Sequence, residues 1–277
     1  MIDYQRKIDF AIKVLQSIPQ DGPIELSYSG GKDSDVILEL AKMAGIPFEA
    51  IYKMTTIDPP GTTKHAKEVC ATIVRPKKTF FQLIEERGLP TRFRRHCCSE
   101  LKEYKIYDRA IQGIRRSEST KRAERYKEPE ICRTYPGKEK VRVYLPILDW
   151  TAADVARFVQ ERGIKCHPLY YDEQGNFHPE RRLGCLCCPM ASRKKMLEEY
   201  KQHPRFLKAE IVALGKNHEA HPNWKATRRF KTPYNHMFYH LFCDNLDEYE
   251  VRVEGGMFPD GGIDTKQFLE DYFQIEL

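Results

Sequence analysis

The sequence contains no long hydrophobic run: none approaches the roughly 18 consecutive apolar residues of a membrane-spanning helix. It also lacks internal repeats and low-complexity tracts, and its first residues have no apolar stretch typical of a secretory signal. Hydrophobic residues make up 41% and charged residues 31% of the 277 positions, which excludes collagen-like and disordered classes. We therefore expect a globular cytoplasmic protein that makes no contact with a membrane.

Cysteine, by contrast, is abundant, although disulfides are rare in a reducing cytoplasm. Five of the nine cysteines lie in two tight groups, Cys97-Cys98 and Cys185-Leu186-Cys187-Cys188. Such clustering indicates a metal site, and because thiolates are soft ligands the spacing suits zinc and an iron–sulfur cluster equally. The other four are expected to be ordinary buried thiols: Cys70, Cys132, Cys166 and Cys243.

Charge is unevenly distributed along the chain, whose formal net charge is +6. Residues 75–142 contain 20 lysines and arginines against 10 aspartates and glutamates, whereas residues 241–277 contain 2 basic and 10 acidic residues. A basic middle segment favours an anionic partner, such as a nucleotide or a nucleic acid. A solvated helical surface would give the same pattern, so charge alone does not decide between them.

The order of elements predicts an α/β fold. Residues 24–28 alternate as a strand does, residues 35–44 have a helical apolar face, and residues 47–52 read as a second strand. This strand–loop–helix–strand start favours a doubly wound parallel sheet. Residues 115–142 are polar and charged, and we expect them to form a long loop or lid before a last strand at 141–145.

A loop between the first strand and the next helix carries the strongest functional signal: Ser29-Gly30-Gly31-Lys32-Asp33-Ser34. The two glycines let the backbone approach a ligand closely, and the amides that begin a helix attract anions. The serine hydroxyls add donors, and Lys32 adds a full positive charge. Because the loop lacks the Gly-x4-Gly-Lys-Ser/Thr spacing of a Walker A motif, it predicts a phosphate site of another kind.

This loop resembles the PP-loop of the N-type ATP pyrophosphatase superfamily. Two further segments are similar to motifs of the phosphoadenosine phosphosulfate (PAPS) reductase family: the arginine-rich residues 113–122, and Leu-Pro-Ile-Leu-Asp-Trp-Thr-Ala-Ala-Asp-Val at residues 145–155. The resemblance implies a PP-loop fold of the adenine nucleotide alpha hydrolase-like type, in a nucleotide-binding domain over residues 1–190. Residues 191–277 carry no recognised motif, and we expect a helical C-terminal extension there.

Proteins of this kind bind an adenine nucleotide, here ATP or PAPS, and act at its α-phosphate. Thr56 and Asp58 follow the second strand, beyond whose carboxyl end sheets of this type bind ligands, so we expect them to contact ribose or a metal ion. The resemblance implies catalytic roles for Lys32, Asp33, Arg115 and Arg116, and nucleotide contacts for Ser29, Gly30, Gly31, Ser34 and Arg122. Guanidinium groups suit this task because they bind phosphate or sulfate through two parallel hydrogen bonds. Mg²⁺ would neutralise part of the phosphate charge.

Many family members hold a [4Fe-4S] cluster with a Cys-Cys pair and a later Cys-x-x-Cys. Cys97, Cys98, Cys185 and Cys188 match that arrangement one by one, so the resemblance favours the cluster over zinc. The chain departs from the family in two places. Cys187 adds a third thiol within the second pair, and Leu101 stands where the family often has a positive charge.

The reaction stays open between three interpretations. Sulfonucleotide reductases that depend on thioredoxin use a cysteine in a C-terminal Glu-Cys-Gly-Leu-His motif, and this chain has no cysteine after Cys243. We therefore expect an enzyme that activates an α-phosphate for sulfur transfer, with a sulfur-donor or electron-donor protein as its partner. The alternatives are a true PAPS or APS reductase with Cys187 or Cys243 as its nucleophile, and a nucleotide-binding module without turnover. A homo-oligomer is compatible with all three.

Residues 218–240 interleave rings with basic side chains: His218, His221, Trp224, Lys225, Arg228, Arg229, Phe230, Lys231, Tyr234, His236, Phe238, Tyr239 and His240. Aromatic rings together with arginine and lysine can stack on bases and follow a nucleic-acid backbone. An amphipathic helix with a basic face would give the same pattern. A nucleic-acid partner is therefore a hypothesis that the sequence raises without deciding.

Overall fold

The computed structural model describes residues 4–69, 71–255 and 262–277. The chain divides into two compact units: Met1–Pro76 with Cys98–Cys185, and Lys77–Cys97 with Leu186–Leu277. The expected division at residue 190 therefore differs from the observed one chiefly in residues 77–97, which join the C-terminal helices. Across the described ranges, no helix is both long enough and apolar enough to cross a bilayer.

Six strands form one sheet in the first unit: β1 Ile24–Tyr28, β2 Glu49–Lys53, β3 Thr72–Val74, β4 Arg109–Ile111, β5 Glu130–Tyr135 and β6 Lys138–Tyr144. Their order is β3-β2-β1-β4-β6-β5, and every neighbouring pair is parallel except β5 with β6. The chain runs outward from β1 through β2 and β3, then returns to β4 on the other side of β1. The expected doubly wound α/β fold is confirmed, and ligands of such sheets bind at the carboxyl ends of the strands where the order reverses.

The chain has thirteen α-helices in the described residues: α1 Tyr4–Gln16, α2 Lys32–Ala44, α3 Thr62–Glu68, α4 Phe80–Arg87, α5 His96–Leu101, α6 Thr120–Arg125, α7 Ala152–Glu161, α8 Arg193–Gln202, α9 Pro204–Ala220, α10 Lys225–Phe230, α11 Pro233–Phe242, α12 Leu246–Val253 and α13 Thr265–Phe273. In the first unit, α2 packs between α1 and α7. Their apolar faces and one face of β1 and β2 form the main core, in which Leu26, Val36 and Phe158 are fully buried. This packing fixes the start of α2 against the end of β1.

The expectation of a long loop over residues 115–142 is wrong. The segment contains α6 and an antiparallel hairpin of β5 and β6, which turns at Gly137 with a φ of 73°. Val141 and Val143 are fully buried, whereas Arg142 between them is exposed. The last strand expected at 141–145 is therefore confirmed as part of β6, since apolar residues at a spacing of two are the pattern of a half-buried strand. In β5 the same alternation is masked by charged residues.

The second unit is helical and includes α4 and α8 to α13. Helix α4 packs on α9, and two hydrogen bonds to Glu85 join them: Lys216 Nζ donates to its carboxylate at 2.8 Å and Asn217 Nδ2 to its carbonyl at 2.9 Å. A separate aromatic core lies among α10, α11 and α12, around Phe230, Phe238 and Tyr249. These long-range contacts explain why residues 77–97 belong to this unit.

Candidate nucleotide site and cysteine groups

The loop from β1 into α2 depends on its two glycines. Gly30 has a φ of +77°, and a Cβ there would lie 2.8 Å from Cγ2 of Thr62. A Cβ on Gly31 would lie 3.3 Å from the hydroxyl of Tyr170. Glycine at position 30 is therefore required both by the left-handed backbone and by the close approach of a neighbouring side chain.

The serines of the loop shape the first turn of α2. Ser34 Oγ donates to the Gly31 carbonyl at 2.7 Å, and the Ser34 amide donates to the same oxygen at 2.9 Å. Ser29 Oγ lies 3.3 Å from Ser34 Oγ and accepts a hydrogen bond from the Gly31 amide at 3.4 Å. The loop is thus ordered by its own hydrogen bonds at the N-terminus of a 13-residue helix, a position that attracts anions.

Three of the expected catalytic side chains come together at this turn. Arg115 Nε donates to Asp33 Oδ1 at 2.7 Å, and Lys32 Nζ lies 3.4 Å from Asp33 Oδ2. Lys32 and Arg115 are 4% and 5% exposed, so two cations are buried around one carboxylate. Burial lowers the pKa of Lys32, Asp33 partly offsets that effect, and Arg115 adds to it. An uncompensated positive charge at a helix N-terminus suits a phosphate ligand.

Arg116, the fourth expected catalytic residue, is held elsewhere. Its Nε donates to the Tyr126 carbonyl at 2.8 Å, and its two Nη atoms bind the Asp149 carboxylate and the Lys127 carbonyl. All three nitrogen atoms are therefore engaged within the protein. The geometry fits a residue that fixes the segment before β5, and the catalytic role that the resemblance implies for Arg116 is untested.

Arg122 lies near Asp33 and Arg115 and shares a carboxylate with Arg182, a residue that the sequence analysis did not identify. The carboxylate of Glu118 binds Arg122 Nη1, and Arg182 Nη2 donates to the same carboxylate at 2.6 Å. Burial lowers the pKa of Arg122, and the positive charge of Arg182 lowers it further. The charge of Arg182 also lowers the pKa of Lys32. The sequence does not identify Arg182 as a site residue, because residues 180–183 belong to none of the segments that resemble the family's motifs.

A cavity of about 210 Å³ opens at the carboxyl ends of β1 and β2. Ser29, Tyr52, Asp58 and Gln112 line it, and a buried ion pair between Glu25 and Lys53 at 3.0 Å forms part of its wall. Pockets for whole drug-sized ligands span about 300–1,000 Å³, so this cavity has room for one end of a nucleotide only.

Thr56 and Asp58 occupy the turn after β2. Asp58 Oδ2 accepts a hydrogen bond from the Thr55 amide at 2.7 Å, which closes the turn. Burial and the neighbouring Asp58 carboxylate raise the pKa of Tyr52. Thr56 has a φ of 66°, and its side chain does not line the cavity. Of the two expected contacts, Asp58 therefore lies at the cavity.

The four expected metal ligands are divided between the units: Cys98 and Cys185 belong to the first, Cys97 and Cys188 to the second. In the first unit Lys102 is an exposed residue; desolvation of its ammonium group lowers its pKa, but the charges of Cys185, Asp58 and Cys98 outweigh that effect and the pKa is raised overall. Cys185 Sγ also lies 3.6 Å from Thr55 Oγ1. Two soft thiol donors beside an ammonium group are a donor set that fits part of an anionic metal–thiolate centre.

No group of three or more His, Cys, Asp or Glu side chains among residues 4–69, 71–255 and 262–277 is arranged to hold a metal ion. The ligand set of Cys97, Cys98, Cys185 and Cys188 therefore stays a prediction, as does the choice between a [4Fe-4S] cluster and zinc.

The remaining cysteines differ from one another. Cys166 and Cys243 are buried as expected, Cys132 is exposed, and Cys70 lies outside the described residues. Cys187 is buried, has a φ of 50°, and its amide donates to Glu199 Oε2 at 2.7 Å. Burial raises the pKa of the Cys187 thiol, and the nearby Glu210 and Glu199 raise it further. The expectation of burial is thus wrong for Cys132, which lies on edge strand β5.

The rings and basic side chains of residues 218–240 are divided between the aromatic core and the surface of the second unit. Phe230 and Phe238 are buried in the aromatic core, and His218 Nε2 lies 3.1 Å from His236 Nδ1. On the surface, the ring of Trp224 stacks on His221 with centroids 3.8 Å apart. Four basic side chains line an open pocket together with Tyr249, Glu250 and Glu254. These four are Lys225, Arg228, Arg229 and Lys231. Only part of the expected set is therefore available to a nucleic acid.

Among curated proteins, an uncharacterized protein of Methanocaldococcus jannaschii is 32% identical over 209 residues, covering 69% of this chain and 47% of that protein. The sulfate adenylyltransferase subunit 2 of Shewanella putrefaciens is 29% identical over 188 residues, covering 54% of this chain and 61% of that protein. The chain thus spans less than two thirds of the length of these relatives.

Two solved structures are also similar. A PAPS reductase from Candida auris, in complex with phosphate, has a TM-score of 0.44 at 14% identity, covering 66% of this chain and 93% of that one. A U34-tRNA thiolase from Methanococcus maripaludis with its [4Fe-4S] cluster has a TM-score of 0.43 at 16% identity, covering 80% of each chain.

A family model of the phosphoadenosine phosphosulfate reductase domain matches residues 23–191, which is more than half of the chain. The match includes the whole sheet of the first unit and both cysteine groups. The chain therefore belongs to the phosphoadenosine phosphosulfate reductase domain family.

Proposed function

We propose that this chain is an enzyme that binds ATP, or another adenine nucleotide, and activates its α-phosphate for sulfur transfer. The observation that carries the proposal is the contact of Lys32, Asp33 and Arg115 at the N-terminus of α2. Cations and helix amides that are fixed before the ligand arrives stabilise the charge that develops on phosphate oxygens. The family match supports a nucleotide as the ligand.

The nucleotide would lie across the carboxyl ends of the strands. Its phosphates would bind to residues 30–34, and its nucleoside would enter the cavity of about 210 Å³ that Ser29 and Asp58 line. This orientation is supported by the position of the cavity beside the loop, since Ser29 belongs to both. Mg²⁺, when bound with the nucleotide, would neutralise part of the phosphate charge.

The chemistry proceeds in two displacements. An oxygen of the acceptor attacks the α-phosphorus, the bond to the oxygen bridging the α- and β-phosphates breaks, and pyrophosphate leaves while the acceptor proton passes to solvent. Hydrosulfide from a sulfur donor then attacks the adenylated carbon, and AMP leaves. Lys32 stabilises the charge on the phosphates, and Arg115 holds Asp33 in place.

The thiols would add a metal centre to this site. Cys98 and Cys185, with Cys97 and Cys188, would hold a [4Fe-4S] cluster, and the ammonium of Lys102 would balance its negative charge. Anaerobic purification followed by iron and zinc analysis tests this part: about four iron atoms per chain are expected, and stoichiometric zinc without iron would contradict it.

A true sulfonucleotide reductase is a less suitable assignment because it needs an accessible thiolate. Cys187 and Cys243 are only 3% and 4% exposed, and burial raises the pKa of both thiols. Substituting each with serine tests this directly. If the chain releases sulfite from PAPS and one of these variants abolishes that release, the reductase assignment replaces ours.

A product assay distinguishes the assignments. The anaerobically purified protein is incubated with ATP, Mg²⁺ and hydrosulfide, with water as a surrogate acceptor, and separately with PAPS and a thiol reductant. We expect slow formation of AMP and pyrophosphate in the first mixture, lost in Lys32→Ala, and no sulfite in the second. Sulfite from PAPS, or nucleotide binding without any product, would contradict the proposed function.

A further inference from the structure

The segment that leads into the second cysteine group lies directly on the phosphate loop. Leu183 Cδ2 would be 3.4 Å from a Cβ on Gly30, and the Leu183 amide donates to the Tyr170 hydroxyl at 3.3 Å. The ring of Tyr170 in turn lies 5.2 Å from Lys32 Nζ. Residues next to Leu183 are therefore within reach of a ligand on the loop.

The two arginines before Leu183 have different surroundings. Arg181 Nη1 donates to the carbonyls of Leu169 and Tyr171 at 3.1 and 2.7 Å, so this guanidinium anchors the segment. The side chain of Arg182 is 61% exposed and contacts only the carboxylate of Glu118 among the hydrogen bonds and ion pairs of the described residues. Arg182 therefore keeps most of its donors for a ligand.

Glu118 is shared between two cations. Its side chain is only 10% exposed, and it binds both Arg122 and Arg182. Lys32 and Arg115 similarly share Asp33. Four cations and two carboxylates leave two positive charges in excess at one end of the sheet. Arginine pairs of this kind bind tetrahedral oxyanions through parallel hydrogen bonds.

We propose that Arg122, Arg182 and Glu118 form a second anion subsite, which binds the phosphate group farthest from the nucleoside while Lys32 and Arg115 hold the inner phosphates. This inference rests on the proposed function and deepens it, because it makes the length of the phosphate chain a determinant of affinity. Glu118 holds the two guanidinium groups in position before the nucleotide arrives.

Calorimetric titration of AMP, ADP and ATP into wild-type protein and Arg182→Gln tests the subsite. We expect the variant to lose about tenfold or more in ATP affinity, with AMP affinity unchanged within about twofold, because a hydrogen bond to a charged group contributes about 1.5–3 kcal/mol. Arg142→Gln is the matched control. Arg142 lies next to Arg109, the first residue of β4, in the register of the sheet, and therefore at the end of the sheet away from the loop. All three nucleotides should bind to this variant as to wild type.

Two results would overturn the inference. Equal losses for AMP and ATP would mean that Arg182 acts only by placing its segment, and unchanged ATP affinity would mean that it does not touch the ligand. Glu118→Gln adds a second readout: the amide oxygen can still accept hydrogen bonds from the guanidinium groups and so keep them in position, while the negative charge is removed. ATP should therefore bind at least as tightly as to wild type, and a loss as large as that of Arg182→Gln would also overturn the inference.

Failure of the proposed function gives a different pattern from failure of the subsite. If wild type binds ATP and Arg182→Gln weakens it selectively, but no pyrophosphate forms, the subsite stands and the reaction assignment falls. If Lys32→Ala leaves the binding of every nucleotide unchanged, the loop is not the phosphate site, and both fall together.

Discussion

At the scale of single residues, neighbouring arginines with the same chemistry perform different tasks. Arg115 is buried against Asp33 beside the loop, whereas Arg116 binds two carbonyls and Asp149 away from it. The sequence predicts a phosphate role for both, because a motif identifies residue types and not the direction of a side chain. The packing of the segment against Trp150, whose carbonyl accepts from Ser117, decides which arginine faces the site.

Substitution of these two arginines separates activity from stability. Arg115→Gln should lower pyrophosphate formation by about ten- to a hundredfold, because Asp33 loses its charged partner and the loop loses a cation. Arg116→Gln should leave that rate nearly unchanged and lower the free energy of unfolding by about 1 kcal/mol, through lost hydrogen bonds. Steady-state kinetics and urea unfolding measure the two effects, and a larger rate loss for Arg116→Gln would contradict the assignment.

At the scale of elements, the sequence predicts the helices and strands whose formation depends on residues close together in the chain. The strand, glycine-rich loop and helix of residues 24–44 follow from alternation, backbone freedom and an apolar helical face, and all three lie where the sequence puts them. The last strand was expected at 141–145 and forms part of β6, but β5 was missed because its inward-facing positions, such as Ile131, stand among charged neighbours. Arg182 was missed because only the fold brings it to the loop. Contacts between residues that are far apart in the chain are difficult to predict from a single sequence.

Glycines at the two ends of α2 provide a matched test of the loop. Gly30 and Gly45 both have a left-handed φ, +77° and +67°, but only a Cβ on Gly30 would clash, at 2.8 Å from Thr62. Alanine at either position should destabilise the protein by about 1 kcal/mol or more through backbone strain. Only Gly30→Ala should also lose ATP binding in a calorimetric titration. Equal binding by both variants would show that the loop geometry is not needed for the ligand.

At the scale of the whole molecule, the two units differ in what their interiors contain. The first unit buries its charges around the loop and the cavity, where they suit ligands. The second holds titratable groups between its helices: burial raises the pKa of Glu210 to about 8, and desolvation of the half-buried His236 and His240 lowers their pKa values to about 3 and about 4. The sequence gives no sign of this difference, since it depends on which faces of the helices meet.

These groups predict a stability optimum for the second unit near pH 6.5. The two histidines stay neutral when folded, so their contribution is complete above about pH 6.5 and is lost as the pH falls towards 4 and 3. Glu210 stays protonated when folded, so its contribution is complete below about pH 4.5 and is lost as the pH rises towards 8. Hydrogen exchange of α9 and α11 between pH 5 and 8.5 measures the profile.

Glu210→Gln isolates the alkaline side of that profile. The amide can still accept the hydrogen bond that Tyr200 donates at 2.7 Å, but it has no proton to lose. The variant should therefore keep its stability from pH 6.5 to 8, where the wild type loses it. It should decline more steeply than the wild type as the pH falls from 6.5 to 4.5, because in the wild type the growing contribution of protonated Glu210 offsets part of the loss from the histidines. A parallel decline of both proteins above pH 6.5 would show that Glu210 is not the group responsible.

The account as a whole depends on phosphate binding at the start of α2, and one titration tests this most directly. ATP is titrated calorimetrically into wild type, Lys32→Ala and Lys42→Ala, the last removing an exposed lysine from the other end of the same helix. We expect one ATP per chain, an affinity reduced about tenfold or more in Lys32→Ala, and wild-type affinity in Lys42→Ala. Equal affinity of wild type and Lys32→Ala for ATP would contradict the account.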